Sequence, residues 1–188
     1  MALAGAGQVA RFVLAGRGTV TSMDDTFGGG DGVVVRVPCG APPEAAWELL
    51  ATPARWPRWS PQIRAVGGFD PVRRRFAPAP PALQVGAWVV LHGPWPVRLR
   101  AQITRLEADR RWDFAAPLPG ALTLLSAHAV TRATHGCEIV WGMRVQGPGG
   151  GLLTRTALPA YTPLARLALR RLARLAQRQA ARPEASPP

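Results

Sequence analysis

A long amphipathic helix placed after a run of alternating strands constrains this chain more than any other feature. From Tyr161 to about Gln179 the apolar residues Leu164, Ala168, Leu172 and Leu175 share one helical face. Arg166, Arg170, Arg174 and Arg178 share another, at four-residue spacing. Such a helix has one face to bury. Upstream, residues 97–106 alternate cleanly, with Val97, Leu99, Ala101 and Ile103 on one side and Arg98, Arg100, Gln102 and Thr104 on the other. That pattern belongs to a half-buried antiparallel strand. Residues 33–39, 63–69, 87–92, 110–115, 122–132 and 137–146 also read as strands. A meander of such strands exposes one apolar face, and laying the helix on it satisfies both. The predicted class is α+β, with a curved antiparallel sheet wrapped around a long C-terminal helix.

Proline and glycine punctuate the rest. Pro42-Pro43 opens a short helix, where a missing N–H is harmless, and Glu44 and Glu48 suit its positive end. Ala46, Trp47 and Leu50 recur at helical spacing, and Pro53 ends the run. Residues 54–61 form an aromatic-rich second helix or turn. Residues 70–83, rich in Pro and Arg, form a loop or weak edge strand. Turns are expected at 93–96 and 133–136. Pro159 and Pro163 separate a turn at 152–157 from the last helix.

Residues 1–32 lack a sustained period and read as a flexible extension, with Thr26–Gly32 as a linker rather than a phosphate loop. Arg11 and Arg17 interrupt the apolar stretches, which argues against a signal peptide. Translation from Met23 instead of Met1 is the alternative, which intact mass separates. Residues 181–188 read as a disordered tail. The formal net charge is +12, and every basic residue is Arg. Arg drawn by codon supply marks a solvated surface better than a nucleic-acid footprint, so no nucleic acid is expected, while weak contact with an anionic membrane is. Cys39 and Cys137 have no metal-ligand spacing, so neither a disulfide framework nor a metal site is expected, and a reduced cytoplasmic setting fits. No cofactor is implied, and the oligomeric state is open.

Several segments together are similar to a known family. Val37-Pro38 followed by Ala41-Pro42-Pro43-Glu44-Ala45-Ala46-Trp47-Glu48-Leu49-Leu50 resembles the first strand and helix of START-like proteins of the polyketide cyclase/dehydrase (SRPBCC) superfamily. Thr52-Pro53-Ala54-Arg55-Trp56-Pro57-Arg58-Trp59-Ser60-Pro61 resembles their second helix, with Thr52 where the family often carries Asp. Leu83-Gln84-Val85-Gly86 resembles the turn before the middle strands, and Trp112, His128 and Gly136 the later strands. The resemblance spans roughly 33–180 and implies a helix-grip, ligand-binding domain with a cavity between sheet and helix. It also implies that the first and last strands pair. Cys39 and Cys137 should then face each other across the ladder, with Cα atoms about 4.5–5.5 Å apart.

The expected ligand contacts are Trp59, Trp88, Leu99, Trp112, Phe114, His128, Trp141, Leu164 and Ala168. Aromatic walls suit a flat or lipophilic ligand, and equally suit plain core packing. His128 is the catalytic candidate, as a general acid or base, although a buried histidine with a satisfied hydrogen bond is the commoner case. His92 sits at a turn and His135 in a hairpin loop. Asp113 should face outward, opposite Trp112 and Phe114. No paired carboxylates and no nucleophile motif appear. The expected function is binding or transport of a hydrophobic small molecule such as a lipid or polyketide. The alternatives are a polyketide or aromatic-ring cyclase or dehydratase, and a lipid-transfer protein that docks on membranes by its Arg-rich helix.

Overall fold

The computed structural model describes residues 32–94 and 97–182. The expectations for residues 1–31, for Trp95-Pro96 and for 183–188 lie outside the described residues. Strand β1 (Val33–Cys39) leads into helix α1 (Pro43–Ala51), a 3-10 turn (Pro53–Arg55) and α2 (Trp56–Trp59). Then come β2 (Ala65–Asp70), β3 (Arg75–Ala77), β4 (Trp88–His92), β5 (Arg98–Glu107), β6 (Arg111–Leu118), β7 (Leu122–Ala133) and β8 (Gly136–Gln146). The chain continues through α3 (Gly150–Thr156), a second 3-10 turn (Leu158–Tyr161) and α4 (Thr162–Ala180). The strands form one antiparallel sheet in the order β1-β8-β7-β6-β5-β4-β2-β3. The curved sheet grips the long helix, as the sequence predicts.

The stretch at 70–83 contributes β3, a three-residue edge strand. The stretch at 152–157 is helical rather than a turn. Thr154 Oγ1 accepts the Val145 N–H (2.8 Å) and donates to the Gly150 carbonyl (2.9 Å), which ties α3 to the end of β8. Cys39 lies directly opposite Cys137 in the register, as expected, and both are buried free thiols. The β7–β8 hairpin closes at the Ala133–Gly136 pair. Gly136 has φ +96°, and a Cβ there would strike the Cys39 carbonyl, so the position requires glycine twice over.

The sequence places the buried stripe of α4 slightly off centre. Its fully buried residues are Ala165, Ala168, Leu169, Leu172, Ala173 and Ala176. They follow i, i+3, i+4, i+7 spacing, whereas Leu164 and Leu175 flank the stripe and are half-buried. The alanines let the helix lie close on β1, where Val35, Val37 and Cys39 point inward. Cys39 Sγ sits 3.7 Å from the Ala173 carbonyl.

Two tryptophans finish α1. The last carbonyls of a helix have no partner within it. Trp56 Nε1 donates to the Leu50 carbonyl (2.8 Å) and Trp59 Nε1 to the Leu49 carbonyl (3.2 Å). Thr52 makes no side-chain cap for the turn that follows it; its hydroxyl donates back to the Glu48 carbonyl (2.6 Å). Arg55 pairs with Glu48 (2.7 Å), and Gln179 hydrogen-bonds Glu48, so α1, the first 3-10 turn and α4 are joined.

Candidate functional site

Register brings three rings into one row across the sheet. Trp112 on β6 faces His128 on β7, and His128 faces Trp141 on β8. Their side chains all point to the inner face. Trp112 and His128 stack with centroids 4.1 Å apart, and His128 and Trp141 follow at 4.9 Å. Trp56 extends the stack from α2, 5.0 Å from Trp112 and nearly parallel to it. Tyr161 closes the other end, edge-on to Trp141 at 5.9 Å.

This row is one wall of a cavity of about 430 Å³. Leu91 and Leu99 reach it from β4 and β5, Leu124 and Ser126 from β7, and Met143 from β8. Ala157, Leu158 and Tyr161 cover it where the chain turns between α3 and α4. The volume lies within the range of small-molecule sites. Among the described residues that line it, none is Asp, Glu, Arg or Lys.

The polar groups of the wall are few and buried. His128 is 2% exposed, and desolvation lowers its pKa to about 3, so the imidazole is neutral. Burial pushes the Tyr161 phenol up to about 12 against the opposing effect of a hydrogen bond with Gln62. Ser126 Oγ accepts the Trp141 indole N–H (2.7 Å) and donates to the Gly142 carbonyl (3.3 Å). His128 Nδ1, Trp112 Nε1 and Gln62 Oε1 are buried with no hydrogen-bond partner.

Of the residues expected from sequence, Leu99, Trp112, Phe114, His128 and Trp141 line the cavity together. Trp59, Trp88, Leu164 and Ala168 do not. Trp59 is held in the core by its bond to α1. Trp88 alternates with Val89 and Leu91, which point inward, so it packs on the outer face, edge-on to Phe69 at 6.3 Å. Ala168 is covered in the α4 stripe, and Leu164 flanks that stripe, because the helix begins beyond the cavity instead of running along it. Asp113 does face away from Trp112, yet it is not solvated. It is bound at both oxygens by Arg111 (2.7 Å each), and burial still raises its pKa. His135 is exposed in the hairpin loop.

Sequence reasoning missed Trp56, Gln62, Ser126, Met143 and Tyr161. The strand period could have found two of them. Ser126 shares its parity with His128, and Met143 with Trp141. Among the described residues no group of three or more His, Cys, Asp and Glu could hold a metal ion, and no helix is long and apolar enough to cross a membrane.

Three solved structures illustrate the likeness in fold. Protein MLL2253 from Mesorhizobium loti has a TM-score of 0.58 at 18% identity, covering 78% of this chain and 97% of its own. Protein CV1439 from Chromobacterium violaceum has a TM-score of 0.55 at 10% identity, covering 78% and 98%. CalU16 from Micromonospora echinospora has a TM-score of 0.54 at 15% identity, covering 79% and 83%. At these identities they speak for the fold alone. No curated protein matches the chain in sequence. The model of one family, described as polyketide cyclase / dehydrase and lipid transport, matches residues 30–177. With that match over most of its length, and with the sheet, helix and cavity described above, the chain belongs to the polyketide cyclase / dehydrase and lipid transport family.

Proposed function

We propose that the protein binds a hydrophobic small molecule in the cavity between the sheet and the segment that leads into α4. The observation that carries this is an aromatic and aliphatic lining without a formally charged side chain. Leu99, Trp112, Phe114, His128 and Trp141 are the contacts expected from sequence, and Trp56, Met143 and Tyr161 join them. The role is that of a carrier or sensor. Native mass spectrometry of protein purified without added ligand tests it. A co-purifying apolar molecule of fitting size is the expected result. A clean apo mass, together with no uptake of an apolar dye, would sink the reading.

A second reading, a cyclase or dehydratase, rests on His128 at the cavity wall. An imidazole with a pKa near 3 is neutral at neutral pH and a weak base, so its role would be to hydrogen-bond a reacting group in its neutral form. Replacing His128 with Ala distinguishes the two. Turnover lost with binding kept supports catalysis, and turnover kept removes His128 from the mechanism. The Arg row of α4 is exposed, as a lipid-transfer protein docking on anionic membranes would need. Vesicle binding indifferent to salt and lipid charge would argue against that role.

A further inference from the structure

The outer face of the sheet, away from the cavity, carries a separate cluster near the β3 edge. Phe76 on β3, Phe69 on β2 and Trp88 on β4 stand in one row, with successive ring centroids 6.0 and 6.3 Å apart. Arg98 and Arg100 on β5 share this face, since they pair with His92 and Val90, which have the parity of Trp88. The Arg100 guanidinium lies over Phe69 at 4.8 Å, and both guanidiniums lie 5.9 Å from the Phe76 centroid. Both arginines are exposed. Phe76 is still 53% exposed beneath them, so its ring offers surface to a partner.

Two cations at one ring repel each other, and a nearby carboxylate would offset that. Neither arginine forms an ion pair among the described residues. From Arg64 to Arg100 the chain has six arginines and one acid, Asp70. That carboxylate is already held by Arg73 (3.5 Å) and by the N–H groups of Val72 and Arg73 (3.0 Å each). The cluster therefore pairs fixed positive charge with flat, partly exposed rings.

We propose that this face binds single-stranded nucleic acid, with phosphates on Arg98 and Arg100 and a base on Phe76. Net charge alone singles out no surface, which is why the sequence raises no such expectation. The rings single out this one. A single strand exposes the faces of its bases, and these stack on aromatic side chains and guanidinium planes with little regard to sequence. A duplex keeps those faces inside. An acidic peptide or an anionic bilayer answers the arginines but brings no flat ring to Phe76. The arginines of α4 make the contrast, for they are equally exposed and no aromatic residue stands among them.

The test is fluorescence anisotropy of a labelled oligothymidylate of about fifteen nucleotides at about 50 mM salt. An abasic strand of the same length, with phosphates but no bases, is the comparison. We expect the wild type to bind the thymidylate, and the abasic strand about fivefold more weakly or worse. Arg98→Gln with Arg100→Gln should cut thymidylate affinity about tenfold or more. It should also flatten the slope of log affinity against log salt by about 0.7 for each arginine removed. Arg170→Gln with Arg174→Gln on α4 makes the same change in net charge and should cost far less. Phe76→Leu should weaken the thymidylate about fivefold or more and leave the abasic strand as it was. All five positions are exposed, and an unchanged circular dichroism spectrum confirms that each variant is folded. No binding of the thymidylate overturns the inference, as does equal binding of the abasic strand. An equal loss from the α4 pair, or an unchanged affinity in Phe76→Leu, does the same. Phosphatidylglycerol vesicles that displace the thymidylate as well as unlabelled thymidylate does, at matched phosphate, would assign the face to membranes and also overturn it. None of these results bears on the cavity, which lies on the other side of the sheet.

Discussion

The inner face of the sheet has two halves that differ in what covers them. Over β1, α4 lays down a stripe of alanine and leucine, and Ala165, Ala168, Leu169, Leu172 and Ala176 are fully buried. Over β6 to β8, the cover is the 3-10 turn Leu158–Tyr161, and a cavity remains. A helix presents a residue to the sheet at every third or fourth position. A short turn opening with Leu158-Pro159 cannot, and Pro163 follows at once. The cavity is therefore a consequence of where α4 begins. Large rings do not fill that half, because they spend their surface on each other.

Substitutions can break this comparison. The largest effect should come from Leu169→Ala in the filled half, about 2–5 kcal/mol of stability by chemical denaturation. Leu99→Ala, beside existing empty space, should cost less than Leu169→Ala; an equal cost would mean that the two halves are packed alike. Next is the pair Ala168→Leu and Leu124→Phe. Overpacking the filled half should cost about 1–3 kcal/mol, while Leu124→Phe grows into the cavity at little cost and lowers Nile red binding. Trp59→Phe and Trp112→Phe remove the same atoms, but only the first strips a partner from a buried carbonyl. It should cost about 1–3 kcal/mol more in the apo protein.

The last expected effect is confined to acid pH. The folded-state pKa of His128 lies near 3, below its ordinary 6.5. The unfolded chain therefore binds a proton that the native state refuses, and stability present above pH 6.5 is lost as pH falls toward 3. Stability therefore rises with pH inside that window. His128→Phe should flatten the profile there. A variant with the wild-type slope would show that other groups carry the acid sensitivity.

Much of this was legible in the sequence, for reasons that differ from one element to the next. Strands β5 and β6 alternate between apolar and polar residues, so their inner faces, with Leu99, Trp112 and Phe114, read directly. Strand β4 is apolar at Trp88, Val89, Val90 and Leu91 alike, so alternation says nothing about which side is inside. The pairing of Leu91 with Leu99 decides it, and that is a long-range fact. Trp56 and Trp59 lie three apart on one helical turn, and nothing local tells which of them reaches the cavity. The face of α4 was misjudged by about one position because hydrophobicity favours leucine, whereas close approach to β1 favours alanine.

The pairing of β1 with β8 bears on how the chain comes to be folded. Val33 finds its ladder partner at Met143, so β1 waits for β8, which follows all the other described strands in the chain, before it is paired. Contacts so distant in sequence slow folding. Meanwhile Val33-Val34-Val35 is a short, sticky segment with free backbone groups. Arg36 and Pro38 interrupt it two residues apart, a charge and a missing N–H on what remains an edge strand. They act as guards against pairing with the wrong neighbour, and replacing both with valine should raise aggregation of the newly made chain before it alters the finished protein.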